Sequence, residues 1–258
     1  MSEQQKNTSN FGTLYLIPNT LGDDTRELQI PGVIPQEVII QASKLQYWVV
    51  ENAKTARSFL KAIGTISPLV CPLQEMQMQE WRGAKSHIDP QTLIQPLLKG
   101  FDLGLMSEAG LPAVADPGSE IVAAAHRAKI RVVPMVGPSS LMLALMASGM
   151  NGQRFLFHGY LPIKNPDRLN TIKAIETESR KLKQTQIWIE TPYRNAGMLD
   201  SCLTLLSDSS TLCLAIDLSL PTQQVLSMPV SQWRQWVKSN SAMIQALDKR
   251  PAVFLLLA

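Results

Sequence analysis

The sequence predicts an α/β protein in two domains, the first around a mostly parallel sheet and the second around a mixed one. Short apolar, β-rich runs alternate with helical patterns along the chain, the signature of strands buried on both faces and separated by helices. The alternation starts afresh after the Pro/Gly-spaced segment that ends at Pro138. Nearer the C-terminus, a pair of runs is separated only by a turn, and strands so joined must be antiparallel.

Taken in order, Leu14–Ile17 reads as a first strand stopped by Pro18, and Tyr47–Val50 as a second, followed by a helix over Ala53–Ile63. Leu103–Met106 is a third strand with a helix over Ile121–Ala128, and Arg131–Val133 is a fourth. The boundary falls near Gly137, giving a first domain over 11–137 and a second over 138–258. Beyond it, Leu141–Ala147 reads as an apolar helix closed by Gly149. Strands are predicted at Phe155–Phe157, Ile187–Ile189, Leu212–Ile216, Gln223–Ser227 and Val253–Leu257. Helices fill Pro166–Lys183, Asn195–Leu206 and Ser231–Lys238.

With 45% hydrophobic and 17% charged residues, the chain of 258 residues has the composition of an ordinary globular protein. The net charge of +3 neither demands nor excludes a nucleic-acid partner. Cys71, Cys202 and Cys213 lack metal-ligand spacing and do not make a disulfide framework, which places the chain in a reducing cytoplasm. No apolar run is long enough for a membrane span, so a soluble protein is expected. Met1–Asn10 is polar without an apolar h-region and reads as a disordered leader.

Chemistry concentrates in Met106-Ser107-Glu108-Ala109-Gly110-Leu111-Pro112-Ala113-Val114-Ala115-Asp116-Pro117-Gly118. This segment follows a buried strand and precedes a helix, where α/β proteins bind ligands. Gly110 and Gly118 permit unusual backbone angles, while Pro112 and Pro117 fix theirs. A rigid, winding loop with open backbone donors and acceptors is expected, its start carrying the Ser107 hydroxyl and the Glu108 carboxylate. The plain alternative is a strand-to-helix loop with Asp116 or Ser119 as N-cap. A second signal is Val132–Ser140, where Pro138 is placed to open a helix whose N-terminus can receive a carboxylate or phosphate; an interdomain linker is the compatible alternative.

Other chemistries find no support. There is no G-x-G-x-x-G, no Walker A motif and no G-x-S-x-G elbow. His87, His126 and His158 are isolated and lack metal spacing, so no metal is expected.

These residues resemble the tetrapyrrole-methylase superfamily, and within it the branch that methylates a ribose 2′-hydroxyl (of cytidine) in small-subunit ribosomal RNA. Ser107–Pro112 with Asp116-Pro117-Gly118 resembles that branch's S-D-A-G-T-P…D-P-G signature. Arg131–Pro134 with Gly137-Pro138-Ser139 resembles R-V-V-P-x-x-G-P, and Arg154-Phe155 with Gly159–Pro162 resembles R-F-x-x-x-G-F-L-P. The likeness runs from Gly12 to Ala258. It also has departures: Pro18–Asp23 reads P-N-T-L-G-D for P-T-P-I-G-N, Glu51–Lys54 reads E-N-A-K for E-D-T-R, and Leu111 replaces a threonine.

The resemblance implies two αβα domains, S-adenosylmethionine in a cleft between them, and a homodimer. It puts the methionine end of the cofactor near Ser107, Glu108, Ala109, Gly110, Val114 and Ala115, and the adenosine end near His158, Gly159, Tyr160, Ala215, Pro251 and Ala252. Pro18, Pro138 and Ser139 are counted as further cofactor contacts. Glu51, Lys54, Tyr193 and Arg194 stand on the substrate side, the last matching the arginine of Y-E-S-x-x-R. Methyl transfer from an activated sulfonium needs in-line positioning and little covalent help, so no catalytic base is named beyond Glu108 as a candidate assistant. Lys164, Arg168, Lys173, Arg180, Lys181 and Lys183 form a basic cluster able to meet phosphates, or else a solvated helix face balanced by Glu176 and Glu178. The expectation is a ribosomal RNA methyltransferase or a paralogue with altered substrate. The alternatives are a methyltransferase for a small tetrapyrrole-like molecule and a cofactor-binding protein without catalysis.

Overall fold

The computed structural model describes residues 11–22 and 26–258; the leader expectation and Asp23 lie outside them. The chain divides into two compact units, one ending at Pro138 and the other spanning Ser139–Ala258.

In the first unit the elements run β1 (Leu14–Leu16), α1 (Arg26–Val33), α2 (Gln36–Ser43), β2 (Tyr47–Val50), α3 (Ala53–Gly64), β3 (Gln77–Glu80), α4 (Pro90–Leu93), α5 (Gln95–Leu98), β4 (Leu103–Met106), α6 (Ser119–Arg127) and β5 (Val132–Pro134). The five strands are all parallel, in the order β3-β2-β4-β1-β5. Side chains alternate across this sheet. Trp48, Val50 and Met106 join Ile30, Ile34, Phe59 and Leu60 on one face, while Val49, Leu103 and Leu105 join Leu93, Leu97 and Ile121 on the other. Both faces are thus buried, as the apolar runs demand.

The second unit continues with α7 (Ser140–Ser148), β6 (Phe155–Tyr160), α8 (Asp167–Leu182), β7 (Thr185–Ile189), α9 (Asn195–Leu205), β8 (Thr211–Ile216), β9 (Gln224–Pro229), α10 (Val230–Ser239), α11 (Ser241–Leu247) and β10 (Ala252–Leu257). Its sheet has the order β6-β7-β10-β8-β9, with β6 parallel to β7 and every other pairing antiparallel. Trp188 stacks on Phe254 with ring centroids 5.5 Å apart. The buried Trp233 indole donates to the Leu212 carbonyl at 2.7 Å. These join Met198, Leu199 and Leu214 in one core.

Two local expectations are corrected. Pro138 does not open α7: Ser139 is its cap, with the hydroxyl accepting from Met142 N at 3.4 Å, and the helix starts at Ser140. Neither Asp116 nor Ser119 caps α6; Gly118 holds the cap position at φ +144°, a geometry L side chains rarely adopt, and Ser119 is already helical. No periodic apolar run announces α1, which carries Pro31 inside it, or β3, whose QMQE sequence offers only Met78 to the core. β3 is an edge strand, paired on one side only, and tolerates that polarity.

Gly104 lies in β4 between β1 and β2, where an added Cβ would stand 2.5 Å from the Trp48 ring. Trp48 is 1% exposed and has no room to withdraw. Gly104→Ala is expected to destabilise the protein by about 1–3 kcal/mol through overpacking, read as a lower urea midpoint with an unchanged slope.

Candidate functional site

The carboxyl ends of β2, β4 and β1, three adjacent parallel strands, bring together three segments that are far apart in sequence. The register pairs Val50 with Met106 and Leu16 with Leu105, so Glu51, Ser107–Glu108 and Pro18–Asn19 leave the sheet side by side. Asn19, fully buried, fastens two of them: its side-chain amide donates to the Ser107 carbonyl at 3.2 Å and to the Glu108 carbonyl at 2.9 Å. Its backbone N–H donates to the Gly110 carbonyl at 2.9 Å, and Gly110 N–H returns a bond to the Thr20 carbonyl at 3.3 Å. Glu51 fastens the third, its carboxylate accepting the Glu108 N–H at 3.1 Å. The segment after β5 closes in too, since a Cβ on Gly137 would lie 2.2 Å from Pro18.

The 107–118 loop winds as its composition demands. Gly110, Ala113, Ala115 and Gly118 all have positive φ, and Ala113 and Ala115 at +65° and +64° are left-handed without being glycine. Such strained residues gather at ligand sites, held by the surrounding structure. Val114 between them is exposed. Asp116 is pushed up to about 7, first by burial and next by the like charge of Glu51. The nearby Ser107 hydroxyl pulls the other way, and Glu108 adds a further upward push. Ser107 is 3% exposed, and its hydroxyl makes no geometrically sound hydrogen bond among the described residues although it lies near enough to Asp116 to favour the ionised form.

The structure thus gathers Pro18, Glu51, Ser107, Glu108, Ala109 and Gly110 at one end of the first sheet, with Val114 and Ala115 in the same loop. Lys54 is exposed in the first turn of α3. Asn52 caps that helix, its amide oxygen accepting from Lys54 N at 2.9 Å and Thr55 N at 3.3 Å. Sequence reasoning does not single out Asn19 or Asp116 as site residues. Asn19 stands out only as a departure from the family pattern, and that departure is the available signal.

In the second unit, β6 breaks its register against β7 between Phe157 and Tyr160, with Gly159 at φ +68°. His158 is engaged, its ring nitrogen 2.6 Å from Gln186 Oε1. Arg194 forms an ion pair with Glu190, which is buried, and lies 5.4 Å from the exposed Tyr193 ring. Ala215 sits in β8 opposite Val253. Pro251 follows Arg250, which donates to Asp217 at 2.7 Å; Asp217 also accepts from Thr222, and its N–H reaches the Pro251 carbonyl at 3.0 Å. Asp217 and Ser219 both have positive φ, and the Arg250 ion pair braces the seven-residue loop between β8 and β9 at its first residue. Pro138 and Ser139 lie at the junction between the two units.

Burial pushes Cys202 up to about 12 and Cys213 to about 11, so neither is suited to nucleophilic work. Among the described residues no group of His, Cys, Asp and Glu is arranged to hold a metal ion, and no helix is long and apolar enough to cross a membrane.

No protein-family model matches the chain. It is 35% identical over 232 residues to ribosomal RNA small subunit methyltransferase I of Pseudomonas aeruginosa, covering 89% of this chain and 74% of that protein. The Escherichia coli O157:H7 protein of the same name is 29% identical over 240 residues, covering 93% of this chain and 77% of its own. Among solved structures, cobalt precorrin-4 methyltransferase superposes with a TM-score of 0.54 at 13% identity, covering 95% and 94% of the two chains. The uroporphyrin-III-C-methyltransferase of Thermus thermophilus gives 0.51 at 16% identity with the same coverage. At such identities the structures speak for the fold alone.

Asp116 is held above its unfolded value, so the native state keeps a proton that the unfolded chain has lost. Stability should therefore fall as pH rises from about 4 towards about 7. In Asp116→Asn that part of the slope should vanish, leaving the variant with the higher melting temperature at pH 8 and little difference at pH 4; thermal melts across this range check it.

Proposed function

The chain belongs to the ribosomal RNA small subunit methyltransferase I family, with the two-domain tetrapyrrole-methylase fold, and from that premise we propose that it transfers a methyl group from S-adenosylmethionine to a ribose 2′-hydroxyl of small-subunit ribosomal RNA. The observation that carries the reading is the loop set at the carboxyl ends of β1, β2 and β4. Its backbone is rigid, strained and rich in small residues, and it stands where an open parallel sheet takes its ligand. In this reading Pro18, Ser107, Glu108, Ala109, Gly110, Val114 and Ala115 meet the cofactor, with Pro138, Ser139, His158, Gly159, Tyr160, Ala215, Pro251 and Ala252 as further contacts.

The cofactor supplies an electrophilic methyl group when bound. What the protein must supply is alignment of donor and acceptor and a way for the hydroxyl proton to leave. Rigid backbone suits the first task. Glu108, exposed beside the loop, is the candidate for assisting the second.

The basic surface of α8 supports an RNA partner. Glu176, read from sequence as a balancing charge, is turned inward: it is buried and accepts from Ser207 N at 2.7 Å and Ser210 Oγ at 2.5 Å. Arg180 lies 3.5 Å from it. Lys164, Lys173, Lys181 and Lys183 are all exposed, so the outer face is more positive than the sequence balance implied. Arg168 is half-buried. Glu51, Lys54, Tyr193 and Arg194 are the proposed substrate-side residues. A homodimer working in the cytoplasm completes the proposal.

Calorimetric titration with S-adenosylmethionine should give saturable binding that Gly110→Arg abolishes. Gly110 is at φ +65°, with Leu21 already 3.2 Å from where its Cβ would stand, so a long side chain has no place there. Radiolabelled methyl should pass to small ribosomal subunits or their RNA; a folded wild type that binds no cofactor would refute the reading.

A further inference from the structure

The carboxyl ends of β3 and β2 carry a set of side chains opposite in charge to the loop after β4. Val50 pairs with Glu80, and Trp81 N–H donates to the Val50 carbonyl at 2.9 Å, so the ladder runs one residue past β3. Trp81 is 3% exposed and joins Val49 and Leu93 in the core on one face of the sheet, while Met78 joins the core beneath α3 on the other. Side chains alternate along a strand, so Glu80 and Arg82 turn to the α3 face with Met78. The contacts follow: Glu80 Oε1 accepts the Ala53 N–H at 2.7 Å, and Arg82 Nε–H donates to the Glu51 carbonyl at 3.1 Å, with Arg82 Nη2 3.7 Å from Glu80.

Arg82 is held in place and still open. Its backbone N–H donates to Ser86 Oγ at 2.6 Å across a 3-10 turn over Gly83–Ser86, and Gly83 and His87 bracket that turn with positive φ. Its side chain is 57% exposed, and among the described residues only the Nε–H is spent on a hydrogen bond. The outward fork of the guanidinium keeps its remaining donors. Lys54, next to the Ala53 that Glu80 holds, and Lys85, in the turn after Arg82, are both exposed and enter no ion pair among the described residues. The first N–H groups of α3 are already taken by Glu80 and Asn52, so an anion arriving here is met by side chains.

Charge thus changes sign along the strand ends. Glu51 stands at the divide, its carbonyl facing Arg82 on the β3 side and its carboxylate facing Glu108 N–H on the β4 side. Beyond it Glu108 is exposed, and neither it nor Asp116 has an ion-pair partner among the described residues. A polyanion is drawn to the β3 side and repelled from the β4 side. A guanidinium fork matches two phosphate oxygens, and ammonium groups add point charges beside it. Resting on the ribosomal RNA methyltransferase reading, we propose that Arg82, with Lys54 and Lys85, grips the phosphodiester backbone of the acceptor RNA and leads the strand in over the carboxyl ends of β3 and β2. Such contacts fix position and register and read no base.

Fluorescence anisotropy with a labelled single-stranded fragment of small-subunit ribosomal RNA, between about 50 and 200 mM salt, measures the contacts as a salt slope. Each phosphate contact removed should lower that slope by about 0.7, a loss of roughly fivefold in affinity near 100 mM salt. Arg82→Gln should lose one contact and Lys54→Gln/Lys85→Gln two, with S-adenosylmethionine affinity by calorimetry unchanged in both. Arg82→Lys should keep the slope and recover only part of the affinity, because it restores the charge without the fork. Lys44→Gln removes an exposed charge just before β2, at the amino end of the sheet, and should change neither. Should Arg82→Gln fail to fold, the double variant decides, since its two side chains form no ion pair. Wild-type slopes in both variants, an equal loss in Lys44→Gln, or cofactor affinity falling in step with RNA affinity would each overturn the grip while leaving the methyltransferase reading standing. A wild type that binds the cofactor but shows no salt-dependent RNA binding would overturn the RNA substrate as well.

Discussion

The two donors of the buried Asn19 amide are spent on the Ser107 and Glu108 carbonyls, and its oxygen on Thr20 N, so two bonds from one side chain tie the ends of two neighbouring parallel strands and a third steadies its own segment. Parallel sheets leave polar backbone groups unpaired where their strands end, and buried groups of that kind need partners. A hydroxyl of threonine's reach offers a single donor. The asparagine at this position satisfies both carbonyls and thereby dictates where Gly110, and with it the winding 107–118 loop, must begin. Glu51 completes the tie from the other side through Glu108 N–H. These contacts fix how the loops after β1, β2 and β4 leave the first sheet.

The same surface is where the molecule departs from the most comfortable arrangement. Two alanines are left-handed, a carboxyl is held up to about 7 by burial and by the charges of Glu51 and Glu108, and a hydroxyl is buried without a partner. In the second unit three buried carboxylates are paired: Glu176 by two serines and Arg180, Asp217 by Arg250 and Thr222, Glu190 by Arg194, while the buried Trp188 Nε1 and Asn195 Oδ1, like Ser107 Oγ, have no hydrogen-bond partner among the described residues.

Much of the fold was legible because its strands are short, apolar and buried. Tyr47–Val50 and Leu103–Met106 were bounded by their own composition, and the Pro221 turn alone required β8 and β9 to be antiparallel. The segments that escaped have a physical reason for doing so. α1 contains a proline and a glycine, so its periodicity is masked, and β3 needs only one core residue because it lies at an edge. The candidate site was half legible. Glycines and prolines mark a winding loop by their dihedral constraints, which is a local property. The meeting of Glu51, Glu108 and Asp116 depends on strand order, and no local pattern reveals that β2 and β1 both flank β4.

Strand order also sorts the departures from the family pattern. Asn52 stands where the ribosomal branch carries aspartate, and its amide oxygen caps α3 as a carboxylate would. The cap keeps its geometry and sheds its charge. Lys54 in place of arginine gives up a planar fork, yet Arg82 donates to the Glu51 carbonyl at 3.1 Å and keeps a guanidinium at the same strand end. The changes after β2 therefore redistribute charge around a geometry that the caps and ties hold fixed. The tie through Asn19, to Ser107 and Glu108 on the other side of β4, leaves the start of the 107–118 loop as it is.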